Sequence, residues 1–208
     1  MPTREFSLPE AKKKVARAVA AIEKETAAEV VVAVRRRSGH YRHTDLAAGA
    51  VLAFAAILFV LFAPQPFATE KIPIDVVVAF AIGALVSANV APLRRLFTSR
   101  RLMNANVRTA ARGAFYDMRI ARTTGRTGIL VFASILERRV EVVLDSGVKP
   151  EELGPEWPGI VAAIEASLEG ASLDRFLAAL GRMTPPLARA LPVQPDDVDE
   201  LPNEPEVS

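Results

Sequence analysis

No cysteine occurs among the 208 residues, which excludes disulfides and thiolate metal sites and suits a cytoplasmic location. Histidine is almost as scarce, with only His40 and His43. Their i, i+3 spacing could place both on one helical face as metal ligands. They stand among arginines that would repel a cation, and no third histidine completes a site, so an interfacial role is the better reading. Aromatic residues make up only 6% of the chain. No interleaving of aromatic and basic residues or nucleic-acid motif is present, and no nucleic acid is expected as a partner. The first residues, MPTREFSLPEAKKK, lack an apolar core of the kind a cleavable signal peptide needs. Charge, finally, is absent from two internal stretches, Leu46–Ala63 and Val76–Leu93.

Each of these stretches is 18 residues long. At ~1.5 Å per residue a helix of that length reaches about 27 Å, close to the ~30 Å of a bilayer's hydrocarbon. A buried core helix normally keeps a polar stripe, and the first stretch has none. The expectation is a transmembrane hairpin over 46–93, with helices at about 46–63 and 74–93 and three prolines in the connection. Arg35, Arg36, Arg37 and Arg42 precede it, Arg94, Arg95, Arg100 and Arg101 follow it, and the connection holds Lys71 alone. This asymmetry orients both chain ends to the cytoplasm. It also sets the arginines against anionic headgroups, at about 1 kcal/mol each. The expected location is a membrane, crossed twice.

Removing the hairpin and the last 16 residues leaves 144, enough for one core. In Ser7-Leu8-Pro9-Glu10, Ser7 reads as an N-cap with Glu10 three residues on. Leu8, Ala11, Val15, Ala18, Val19 and Ile22 then mark one helical face. Glu29–Val34 and Ile129–Ile135 read as strands buried on both faces. Arg139–Leu144 alternates, with Val140, Val142 and Leu144 inward. A short connection at Glu137-Arg138 pairs it antiparallel with the strand before it. Asn104–Asp117 reads as a helix and Thr123–Gly128 as a turn. Trp157, Ile160, Val161, Ile164 and Leu168 form a helical stripe. Leu173 to Leu191 forms another, kinked or restarted at Pro185-Pro186. Residues 193–208 hold six acids and no base, so a disordered acidic tail is expected. Without those acids the rest of a chain of net charge +2 carries +8.

The stretch Thr124-Gly125-Arg126-Thr127-Gly128-Ile129-Leu130-Val131-Phe132-Ala133-Ser134, with Glu137-Arg138 and Val140–Asp145, resembles the central hairpin of the TPM-domain family. Ala28–Val32 is similar to that family's first strand. Trp157 with Ile160-Val161, then Leu187-Ala188 and Leu191-Pro192, resemble its closing helices, and Asp199-Glu200-Leu201-Pro202 its acidic end motif. The chain looks like the bacterial membrane branch, in which two transmembrane helices interrupt the domain. The resemblance implies an α/β fold, an αβα sandwich interrupted by the hairpin. Residues 5–43 would form its first part, 94–192 its second, and 193–208 the tail. It also implies phosphatase activity or calcium binding through acidic loops, as in some members. This chain departs from them in having few acidic loop residues and an internal anchor.

Phosphoryl transfer needs a nucleophile or metal-binding carboxylates and donors for the phosphate oxygens. Asp117, Asp145 and Glu151-Glu152 are the acids to weigh, with Arg122 and Arg126 as clamps. Asp145, Glu151 and Glu152 are the only metal candidates, and no alternating-oxygen calcium loop accompanies them. The plainer reading, a turn carboxylate and a helix-start pair on the dipole, is preferred. Glu137-Arg138-Arg139 reads as a solvated charged turn, and Ser134 has no general base at recognisable spacing. No catalytic residue and no cofactor is assigned. The favoured function is a membrane-anchored binding or scaffolding module, with anionic lipid and an unidentified protein as partners. The alternative from another class is a membrane-bound phosphatase.

Overall fold

A computed structural model describes residues 6, 8–65, 67–169, 172–194 and 200–208. The chain forms two compact units, one from Met1–Ser38 with Asn104–Ser208 and one from Gly39–Met103. The first is a mixed α/β unit. Its sheet has the order β3-β2-β1-β4, with β1 at Glu29–Arg35, β2 at Gly128–Ser134, β3 at Arg139–Leu144 and β4 at Glu206–Val207. β1 and β2 run parallel from Glu29↔Gly128 to Arg35↔Ser134. β2 and β3 are antiparallel, and β4 lies parallel to β1 at Ala33 and Val34.

Strand alternation divides the core in two. Val30, Val32, Val34, Ile129, Val131 and Ala133 face one cluster. Helix α1 (Pro9–Glu23), α6 (Trp157–Ser167), α7 (Leu173–Gly181) and α8 (Thr184–Ala190) supply its other side. There Val15, Val19, Ile22, Ile164, Phe176 and Leu187 are almost fully buried, and Phe6 meets Phe176 edge-on at 5.3 Å. Val31, Ala33, Leu130 and Phe132 face the second cluster, covered by Val107, Ala111, Ala114 and Phe115 of α5 (Arg100–Asp117). Both central strands are therefore buried on both faces, as their continuous apolar sequence requires. Gly128 opens β2 where a Cβ would come within 2.6 Å of the Ile120 carbonyl oxygen.

Several expectations need correction. The N-cap of α1 is Leu8, without a side-chain cap; Ser7, expected there, lies outside the described residues. Val143, expected outward, packs on the second cluster. The stripe from Leu173, by contrast, restarts where expected: one helix ends at Gly181 and Pro185-Pro186 fall in the first turn of α8, where missing N–H groups have no intrahelical partner to lose. The largest correction concerns the tail. Residues 200–208 are not disordered: β4 joins the sheet, Ser208 donates its N–H to the Val34 carbonyl at 3.0 Å, and Arg36 donates to the Ser208 carbonyl at 2.8 Å. Arg35 offsets the acidity that argued against order, reaching Glu206 and the Ser208 hydroxyl at 2.7 Å each. Asp196, Asp197 and Asp199 lie outside the described residues.

The second unit is a helical hairpin. α2 spans Arg42–Phe62 and α3 spans Ile72–Asn89, followed by the short α4, Ala91–Leu96. α2 begins four residues before the expected start and takes in Asp45. The second apolar stretch is not one helix to Leu93. It breaks at Val90, extended at φ −106°, ψ 96°, because Pro92 supplies no N–H and its ring would clash with the carbonyl four residues back.

Candidate functional site

The hairpin carries the strongest functional signal. At ~1.5 Å per residue, its 21-residue and 18-residue helices are about 31 and 27 Å long. They are long and apolar enough to cross a membrane, and only 11% of the first apolar window and 6% of the second is buried. Phe54, Phe59, Leu61, Phe62, Val77 and Leu85 are each more than 60% exposed. A soluble protein rarely leaves so large a contiguous apolar sleeve in water.

The face between the two helices is built differently. Ala48, Gly49, Gly83 and Ser87 are buried, and the backbones approach closely there. A Cβ at Gly49 would lie 2.7 Å from the Phe80 carbonyl oxygen, and one at Gly83 would lie 2.9 Å from that of Ala48. Small residues at the seam with large ones outside is the packing expected of helices that associate in lipid, where dispersion replaces the hydrophobic effect.

A polar clamp closes the open end. Asp45, in the first turn of α2, accepts Arg94 Nε at 3.0 Å and Nη2 at 2.7 Å. The Ser87 hydroxyl donates to the same carboxylate at 2.9 Å. Both charged side chains are less than 15% exposed. Beside them Thr98 donates to Thr44 at 3.2 Å. Of the arginines expected to orient the chain, Arg94 is thus spent inside the hairpin and Arg35 on Glu206 and Ser208. Arg36, Arg37, Arg42, Arg100 and Arg101 are exposed, and Arg95 is half-buried.

Two polar groupings stand out among the described residues of the α/β unit. At the ends of β1 and β2, Glu137 is 4% exposed, against the expectation of a solvated turn. Its Oε1 accepts the Ser38 N–H at 2.9 Å and its Oε2 the Ser134 hydroxyl at 2.5 Å. These bonds allow the carboxylate to be buried. Ser134 has a carboxylate partner after all, but it is fully buried, so the grouping fastens the two strand ends and presents no nucleophile to a substrate.

At the opposite end a cleft of about 600 Å³ is lined by Glu29, Thr124, Thr127, Leu191 and Glu200, among others. Glu29 Oε2 accepts the N–H groups of Glu200 and Leu201 at 3.3 and 3.0 Å. Glu200 accepts the Thr124 N–H at 2.8 Å and its hydroxyl at 3.1 Å. Both carboxylates hold the returning tail against the start of β1 and the glycine turn. Sequence reasoning missed Glu29 because it sits at a strand end among apolar neighbours; its own charge was the available signal.

The metal candidates are not gathered. Asp145 follows β3, accepts the Ser146 N–H at 2.7 Å and has Arg126 Nη1 at 3.7 Å. Glu151 and Glu152 are exposed in a 3-10 turn, Pro150–Leu153, rather than at an α-helix start. Lys149 bonds Glu152 at 2.8 Å, and that bond holds the lysine above its ordinary pKa. Among the described residues no three His, Asp or Glu side chains are placed to hold a metal ion. Glu156, bonded to Arg189 at 2.6 Å, is held below the usual carboxylate range by that bond.

Compared with protein-family models and with curated protein sequences, the chain matches none. Among solved structures it is similar to the NMR structure of the BA42 protein from the psychrophilic bacterium Bizionia argentinensis. The match has a TM-score of 0.56 at 16% identity and covers 97% of this chain and 95% of that one. At that identity the likeness is one of fold.

Proposed function

We propose that this protein is a membrane-anchored α/β module whose α2–α3 hairpin crosses a bacterial inner membrane, leaving both chain ends in the cytoplasm. The observation that carries the reading is the inverted burial of the hairpin, small residues and an ion pair inside and large apolar side chains outside. The exposed arginines before α2 and after α3, against a lone Lys71 between the helices, support the orientation. The resemblance to the membrane branch of the TPM-domain family supports the same arrangement. The α/β unit then serves as a binding or scaffolding module held at the cytoplasmic face.

Membrane extraction tests the anchor. The full chain should stay with membranes through alkaline carbonate and leave only in detergent. A variant with Thr44–Leu93 replaced by a short Gly/Ser link should be soluble and unfold cooperatively, since closing a longer or shorter loop changes stability only slowly. Full-length protein released by carbonate would refute the anchor. Turnover of a chromogenic phosphate ester by the purified chain, abolished by Asp145→Ala, would refute the non-enzymatic reading.

A further inference from the structure

From Ala91 to Gly128 the chain holds nine arginines, no lysine and one acid, Asp117. Arg108 and Arg112 lie one turn apart on the exposed face of α5, and Tyr116, 73% exposed, continues that row. Arg119 and Arg122, exposed as well, follow within five residues of the helix end. At ~1.5 Å per residue the row from Arg108 to Tyr116 is about 12 Å long. An ordinary solvated helix face looks different. On α1 each of Lys12, Lys13 and Lys14 has a carboxylate within 4 Å. On the α5 row only Arg108 has one, Glu141 at 3.5 Å. Among the described residues no carboxylate is paired with Arg112, Arg119 or Arg122.

Arginine presents a planar fork that matches phosphate oxygens in pairs.

We infer that Arg108, Arg112, Arg119 and Arg122, with Tyr116 among them, form a second contact with the membrane, binding the phosphates of anionic phospholipids. The inference rests on the hairpin being a membrane anchor. α5 starts eleven residues after α3 ends, and basic clusters that follow a membrane helix along the chain meet anionic leaflets. The tyrosine suits the headgroup level, with its ring toward the acyl boundary and its hydroxyl in water. The contact would hold the α/β unit against the leaflet in a lipid-dependent and salt-dependent way, whereas the hairpin's insertion depends on neither.

The absence of native cysteine makes the test direct. The full chain carries a single spin label at Tyr116→Cys or at Leu58→Cys and is placed in nanodiscs containing a small fraction of nickel-chelating lipid. Relaxation at position 116 should rise in discs rich in phosphatidylglycerol and not in phosphatidylcholine discs. It should be lost at 0.5 M salt, and each Arg→Gln change among the four should lower the surface-bound population about fivefold. Arg→Lys changes, which keep the charge, should retain most of it and show that loss is not misfolding. The label at position 58 should report burial in hydrocarbon in both lipids. Burial at 58 without a lipid difference at 116 would overturn the surface contact and leave the anchor standing. A response at 116 to a nucleic-acid duplex or an acidic peptide, but not to phosphatidylglycerol, would also overturn it. Silence at both positions would overturn the anchor and this inference together.

Discussion

Arg94 grips Asp45 with two N–H···O bonds of 3.0 and 2.7 Å, joining residues 49 positions apart at the open end of the hairpin. Breaking a desolvated pair leaves one charge uncompensated. Arg94→Ala should therefore destabilise the hairpin by about 3 kcal/mol, read by thermal unfolding in detergent. The double variant Asp45→Asn/Arg94→Met should recover most of that loss. Additive losses in the cycle would show that the two residues act independently.

The helix seam makes a steric prediction. A side chain at Gly83 meets backbone at Ala48 and Gly49, and backbone cannot rotate aside. Gly83→Leu should cost about 1–3 kcal/mol by forcing the helices apart. Gly113, mid-helix in α5 with nothing within 4 Å of a Cβ, should instead gain roughly 0.5–1 kcal/mol on replacement by Ala.

The tail's docking can be read at one amide. Removing residues 200–208 deletes the partner of the Arg36 N–H and the cover that Leu201 gives the second cluster. Hydrogen exchange at Arg36 should accelerate to the rate of an open amide, with a lower melting temperature. An unchanged Arg36 rate would mean that β4 does not hold the edge in solution.

The Glu156–Arg189 pair predicts an acid response. Because the carboxyl is held below its ordinary 4.5, its stabilising contribution is full above that value and is lost as pH falls through the depressed one. Glu156→Gln should lower melting slightly near neutral pH and flatten its decline below pH 4.5, so that the two chains converge in acid. Lys149, raised above 10.5 by Glu152, behaves oppositely: its contribution is full below 10.5 and is lost as pH rises through the raised value.

The strands read as Glu29–Val34 and Ile129–Ile135 were legible because unbroken β-branched runs have few other uses; the structure sets them one residue differently, at Glu29–Arg35 and Gly128–Ser134. The hairpin's apolar helices were legible from length and composition. The strand at Glu206–Val207 was not: two residues beside Pro205 have no periodicity, and their order depends on a β1 edge and Arg35, more than 170 positions away. The polar groupings failed for the same reason. Asp45 with Arg94, and Ser38 with Glu137, are far apart in the chain and meet only in the fold. Arg94 read locally as one more membrane-orienting arginine and Glu137 as part of a solvated turn, because burial, which makes the pairing necessary, cannot be seen in one segment.

The crossing itself is tested most directly by cysteine accessibility in intact bacterial cells. With no native cysteine to interfere, Phe67→Cys in the connection and Ser208→Cys at the other end each report one position to a membrane-impermeant maleimide. The account predicts labelling of position 67 in intact cells and of position 208 only after the inner membrane is permeabilised. Labelling of both in intact cells, or of position 208 but not 67, would contradict a hairpin that crosses the membrane twice with its ends inside.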